Sequence, residues 1–214
     1  MTETQRTRVR RNAARGHYDI EQIRAVLDSN QICHVAFIAA GEPRIIPTLY
    51  MRRDDYLYLH GNREAALLQH LAAGGFVCVS VMTLDGVVVA RSGFHCSMNY
   101  RSAIVFGHGE KIPPEDHEAV LEAFVATLVP GHETAVRRAT PQELAATAVV
   151  RIPINEASAK IRSGPPIDDK DDIDANVWAG VIPFAPQVLA PEAAPDLADT
   201  VALPDYIRNY GPVR

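Results

Sequence analysis

The sequence is poor in the residues that mark extracellular or metal-bound folds. It has three cysteines in 214 residues. Cys33, Cys78 and Cys96 lie far apart and none stands in a CxxC pair, which argues against a disulfide framework or a zinc knuckle and favours a reducing compartment, with the cytoplasm as the default. All three sit in β-like apolar runs, where cysteine packs as a small hydrophobe. No apolar run approaches the length of a membrane span, and the N-terminus lacks the apolar core of a secretory signal. Positive charge is not in excess either. The formal net charge is −5, which argues against a domain-wide nucleic-acid surface. The nucleophile elbow, the P-loop, the HExxH zinc motif and the GxGxxG turn are all missing. The eight histidines are scattered. Neighbours such as Cys33-His34 or His95-Cys96 would point to opposite faces of a strand, so no metal site is expected.

What is present is a core. Hydrophobic residues make up 47% of the chain, ordinary for a globular domain. Residues 1–18 form a basic arm carrying Arg6, Arg8, Arg10, Arg11 and Arg15, read either as a solvated terminus or as a segment folding back onto an anion or a partner subunit. Asp19 and Gln22 then open a helix with Ile20, Ile23 and Leu27 at helical spacing. From Ile32 the period becomes two, and both faces of this first strand are apolar enough to be covered. Strands are expected at 44–51 and 56–60, a helix from the N-cap Asn62 to Gly74-Gly75, strands at 76–82, 87–90 and 102–107, and a long helix after Pro113-Pro114. A capping box at Thr140-Pro141-Gln142-Glu143 precedes strands at 148–154 and 158–162. Short strands in hairpin order with a few helices predict a mainly β fold with peripheral helices, a small closed or nearly closed barrel. The domain is expected over 19–184, followed by a Pro- and Ala-rich extended or disordered tail over 185–214.

Two segments gather groups that could hold a ligand. In Tyr58-Leu59-His60-Gly61-Asn62-Arg63 a strand runs into a helix start, where free amides and the helix dipole favour an anion. Gly61 lets a ligand near the backbone and Arg63 offers a charge-assisted bond; an ordinary capped helix with a solvated arginine fits the same residues. In Arg91 to Ser102, Asn99, Tyr100, Arg101 and Ser102 mix flat apolar surface with donors and acceptors, as a heteroaromatic ring requires, although a polar hairpin would look alike.

The blocks Arg44 to Tyr50, Leu57 to Asn62, His95 to Ser102, Ser158 to Arg162 with Gly164-Pro165-Pro166, and Val177 to Pro183 resemble the flavin-nucleotide-binding group of the pyridoxamine 5′-phosphate oxidase-like superfamily, to which the nitroimidazole-resistance proteins belong. The similarity runs from about Arg11 to Phe184 and keeps the order of the blocks. It implies an FMN-binding split β-barrel that forms a homodimer, with FMN at the subunit interface. Pro47, Thr48 and His60 would line the flavin ring, and the helix start at Asn62 would face the phosphate. Asn99 to Ser102 would add polar contacts, and Lys160 and Trp178 would reach the site from either subunit. The chain departs from the pattern at Ala65 and Ala66, where the family often carries a serine and a basic residue; Arg63 or an arginine of the arm would have to replace them.

The expectation is therefore an FMN-dependent oxidoreductase acting on a small molecule, without nucleic-acid or membrane partners, and with His60 and Tyr50 as candidate proton donors. The flavin would carry the redox chemistry while the protein orients it. Two alternatives stand beside it: a non-catalytic protein holding flavin or haem, and a dimeric interaction module without a cofactor.

Overall fold

The computed structural model describes residues 1–211. After β1 (Gly16–His17), the carboxylate of Asp19 accepts from the amides of Glu21 and Gln22, both at 3.1 Å. That caps α1 (Ile20–Leu27), whose Ile23, Val26 and Leu27 are buried. β2 (Ile32–Ala39) and β3 (Glu42–Leu49) form an antiparallel hairpin. Its turn uses positive φ at Ala40 and Gly41.

The side chains of β2 alternate. Cys33, Val35 and Phe37 enter the core, while Ile32, His34 and Ile38 stay exposed. The expected cover on both faces of this strand is thus not supplied within one chain. The strand expected over 44–51 is two strands, β3 and β4 (Met51–Arg53), separated at Tyr50, which is drawn into the core. β5 (Tyr56–Asn62) follows.

α2 (Ala66–Ala72) starts later than Asn62. Asn62 ends β5, and its Oδ1 accepts from the Glu64 amide at 2.8 Å instead of capping the helix. Ala65 occupies the cap without a side-chain bond. Gly74, at φ 79°, ends the helix in the left-handed region that suits glycine.

β6 (Phe76–Val89) is one strand where two were expected. The break expected between 82 and 87 is absent; at Asp85-Gly86 the strand has an irregularity but continues pairing. A side chain at Gly86 would place its Cβ 2.6 Å from the Ile182 carbonyl oxygen. β7 (Ser97–His108), β8 (Glu110–Lys111), α3 (His117–Leu128) and α4 (Pro141–Ala146) come next. The capping box at Thr140 and Glu143 is present with both of its bonds. β9 (Thr147–Pro153), β10 (Glu156–Arg162), β11 (Gly180–Pro183) and α5 (Asp205–Arg208) complete the order.

The strands form two sheets. One runs β1-β10-β7-β6-β2-β3, with β11 also on β6; the other runs β4-β5-β9-β8. The chain passes between them at β3–β4, β5–β6, β7–β8 and β9–β10, giving a mainly β split barrel. Val35, Leu57, Val79, Val105 and Ile152 lie fully buried between the sheets. Each contributes about 1.5–3 kcal/mol by leaving water. A second apolar cluster joins Met51, Ile112, Val120, Phe124 and Val149 beneath α3.

The basic arm folds back on the domain. Thr4 Oγ1 and Arg6 both donate to the Glu156 carboxylate, at 2.5 and 3.0 Å, and the Arg6 guanidinium lies over the Phe76 ring. The C-terminal segment returns to the loop after α3, where His132 Nδ1 and the Tyr206 hydroxyl are 3.0 Å apart. Residues 212–214 of the expected tail lie outside the described range. Among the described residues no helix is long and apolar enough to cross a membrane.

Candidate functional site

Strand register decides which candidate residues meet. Pro47 on β3 faces His34 on β2, and His34 faces Ser80 on β6. Lys160 pairs with Ser102, and Ser102 with Met82; Arg162 pairs with Tyr100, and Tyr100 with Leu84. Because side chains alternate along a strand, Pro47, Tyr100, Ser102 and Lys160 share the outer face of the large sheet. Ile32, Ile38, Ile45, Met82 and Leu84 are exposed on the same face. Exposed apolar side chains gathered on one sheet face make that face a candidate binding surface. The Ser102 hydroxyl donates to the Lys160 carbonyl at 3.2 Å.

At one end of this face lies Arg162, which is 6% exposed. It donates to Asn99 Oδ1 and to the carbonyls of Gly164 and Pro165. Among the described residues no carboxylate pairs with it, and its Nε has no partner. Burial, followed by the nearby Arg15 charge, lowers its pKa. Asn99 Nδ2 donates to the Gly164 carbonyl at 3.1 Å. Asn99 is therefore spent on shaping the Gly164-Pro165-Pro166 loop. Arg101 lies on the opposite face and holds Asp85 through two nitrogens.

The other candidates lie elsewhere. His60 sits on the smaller sheet under α3, its ring 4.3 Å from that of Phe124. Its Nδ1 is buried without a partner among the described residues, and burial lowers its pKa, which favours the neutral imidazole. Tyr50 is a core residue whose hydroxyl donates to the Leu27 carbonyl at the end of α1; burial raises its pKa. Neither His60 nor Tyr50 reaches the outer face. Thr48 is on the side of β3 opposite Pro47. A Cβ at Gly61 would meet only Leu68, at 3.6 Å, so nothing in this chain crowds that position. The Arg63 amide and its Nη1 donate to the carbonyls of Ala146 and Ala145, at 3.0 and 3.2 Å. Trp178 is 64% exposed next to Gly180.

Sequence reasoning missed a cleft of about 580 Å³ between the start of α3 and α4. Its walls include Ile112, Leu144 and Val149, and its polar groups include Arg63, Lys111 and His117; among the described residues no carboxylate lines it. His117 Nε2–H donates to the Ile112 carbonyl at 3.0 Å, leaving Nδ1 free. Nothing in the sequence pattern signals this group, because Lys111 and His117 meet Arg63 only once β8 and α3 fold beside β9. A loop rich in aspartate, from Asp168 to Asp174, closes on the Arg91 to Ser102 segment: His95 lies 3.1 Å from Asp169, and Arg91 binds Asp168 through its amide and guanidinium, both at 2.8 Å.

A two-sheet split barrel with an uncovered apolar sheet face, polar groups along it and a cofactor-sized side cleft defines a small-molecule-binding barrel. Residues 19–161 match the model of the pyridoxamine 5′-phosphate oxidase family. The chain belongs to this family, within the pyridoxamine 5′-phosphate oxidase-like superfamily that its motif blocks resemble. Among solved structures it is similar to the flavocytochrome Anf3 from Azotobacter vinelandii, with 37% identity, a TM-score of 0.92 and 97% of each chain covered. It is also similar to an FAD and haem binding protein from Mycobacterium smegmatis, with 38% identity and a TM-score of 0.87 over 91% of this chain and 96% of that one. A proposed 5-nitroimidazole antibiotic resistance protein from Bacteroides thetaiotaomicron, 20% identical with a TM-score of 0.57 over 68% of this chain and 86% of that one, shares the fold alone. Comparison with curated proteins finds no match.

Proposed function

We propose that this protein binds a flavin and a haem and works as an electron-transfer oxidoreductase. The observation that carries the reading is the similarity to two proteins, one a flavocytochrome and one that binds FAD and haem, at 37% and 38% identity over more than nine-tenths of this chain. The site geometry supports it. The outer face of the large sheet offers flat apolar surface beside Ser102, Tyr100 and Lys160, and it is left uncovered in a single chain. A second copy would cover it and bring Trp178 toward a flavin held between subunits.

The flavin is FAD in this reading rather than the FMN expected from the sequence. FMN depends on its one phosphate for charged contacts. Ala65 and Ala66 leave the start of α2 without side-chain donors, and Arg63 is tied to the end of α4. A dinucleotide has a second phosphate and an adenosine with which to gain affinity elsewhere. When bound, the flavin and the haem supply the redox chemistry, and the protein supplies orientation and electrostatics. Lys160 and the unpaired Arg162 give one end of the face positive potential, which favours an anionic cofactor. A reducible or oxidisable small molecule is the partner expected at the exposed flavin edge.

Acid precipitation of the purified protein should release FAD at about one per chain, identified by chromatography. Released FMN would overturn the dinucleotide assignment. A protein that releases no flavin and takes up neither nucleotide would favour the cofactor-free module.

A further inference from the structure

We propose that residues 184–204 form an arm that lies across a second copy of this chain and binds its N-terminal arginines. This rests on the dimer in the reading above. It goes further by naming a second contact, in which each subunit lends a segment to the other.

The arm has no cover of its own. Every residue from Ile182 to Asp205 is exposed. Phe184, Val188, Leu189, Leu197, Val201 and Leu203 are each at least 43% exposed. A single exposed leucine is ordinary, but a run of large apolar side chains along one segment points to a surface that another molecule covers. Among the described residues the root of the arm is held by one backbone bond, from the Phe184 amide to the Asp85 carbonyl at 3.0 Å, and its other backbone bonds run within the arm or to α5. Pro186, Pro191, Pro195 and Pro204 preset an extended course, so less conformational freedom is lost on docking.

Both ends of the arm border the outer face of the large sheet. Asp85 follows Leu84, which is exposed on that face. At the far end Asn209 and Tyr210 line a gap together with Gln31, the neighbour of the exposed Ile32. The arm is thus continuous with the face that a second copy would cover.

Charge selects the partner. The arm carries Glu192, Asp196 and Asp199 and neither lysine nor arginine. These acids are exposed, and among the described residues none has a cationic partner; Arg208, just beyond the arm, pairs with Asp205 instead. The complement stands unused at the other terminus. Arg6 and Arg8 are taken by Glu156 and Glu3, while the exposed Arg10 and Arg11 pair with no carboxylate among the described residues. They precede β1, whose Gly16 pairs with Lys160 on the outer face. Within one chain the acids and these arginines stay apart. In a twofold dimer each arm meets the arginines of the other subunit. The charges then set register and partner choice, and the apolar side chains supply the burial.

The test uses the full chain loaded with FAD and haemin, as wild type and as two charge-reversed variants, Asp196→Lys/Asp199→Lys and Arg10→Glu/Arg11→Glu. Sedimentation over a dilution series at low salt reads the dimer dissociation constant of each variant and of their equimolar mixture. Each variant alone should dissociate at least tenfold more readily than the wild type, and high salt should shrink the difference. The mixture should recover wild-type affinity as a heterodimer, because the reversed arm then meets the reversed arginine patch and the native arm the native patch. If mixing leaves both variants weakened, the arm acts within its own chain and the proposal is overturned. If both variants dimerise as the wild type does while Ile45→Glu on the sheet face separates the subunits, the arm assignment falls and the dimer stands. A wild type that stays monomeric at every concentration overturns both.

Discussion

In the dimer proposed above, Ile45→Glu should separate the subunits and strip the protein of its flavin. Ile45 is 64% exposed on β3 in the single chain, so a charge there leaves the barrel core untouched. Its paired neighbour is Ala36, and Ala36 in turn pairs with Cys78, so neither register partner offers a buried carboxylate a counter-charge. Pressed against a second copy, the glutamate would have to lose its water without a partner, which costs several kcal/mol per ion. Because a twofold interface repeats the change on both sides, the effect is doubled. Sedimentation or light scattering should report a halved mass, with flavin affinity down by at least a hundredfold and an unchanged melting temperature for the monomer. A variant that stays dimeric and yellow would place the subunit contact, and the flavin with it, on another surface.

Tyr50→Phe is expected to destabilise the fold and leave flavin chemistry intact. Tyr50 is 3% exposed, and its hydroxyl serves the carbonyl of Leu27. Phenylalanine fills the same space and leaves that carbonyl unsatisfied in the core. The cost is about 1–3 kcal/mol, a fall in melting temperature of roughly 2–12 °C for a chain of this size. Flavin reduction and reoxidation rates should match the wild type. A large loss of rate at unchanged stability would instead return Tyr50 to the chemistry.

These two residues also show where the sequence was legible. Features set by neighbours along the chain were readable: the Asp19 cap, the Thr140–Glu143 box, the end of α2 at Gly74 and the hairpin of β2 and β3. Features set by distant packing were not. Two strands were expected over 76–90, yet β7 and β11 hold β6 extended through Asp85-Gly86. Asn62 reads as a helix cap, yet it closes the turn before α2 while Ala65 occupies the cap. His60 reads as a ligand-facing histidine at a strand end, because the helix that buries it lies some sixty residues later. The pairing of Asn99 with Arg162, 63 residues apart, and the meeting of Arg63 with His117 are likewise invisible before the barrel closes. In contrast, the apolar outer face of β2 was visible in the sequence. It predicted a covering that one chain does not provide, and a second subunit is the economical way to supply it.

The most direct test of the account is one absorption spectrum of the purified full chain, taken after incubation with haemin and FAD and removal of unbound cofactor. The account predicts a Soret band together with flavin absorption, each near one equivalent per chain. A protein that emerges colourless, or with neither band above background, would contradict it.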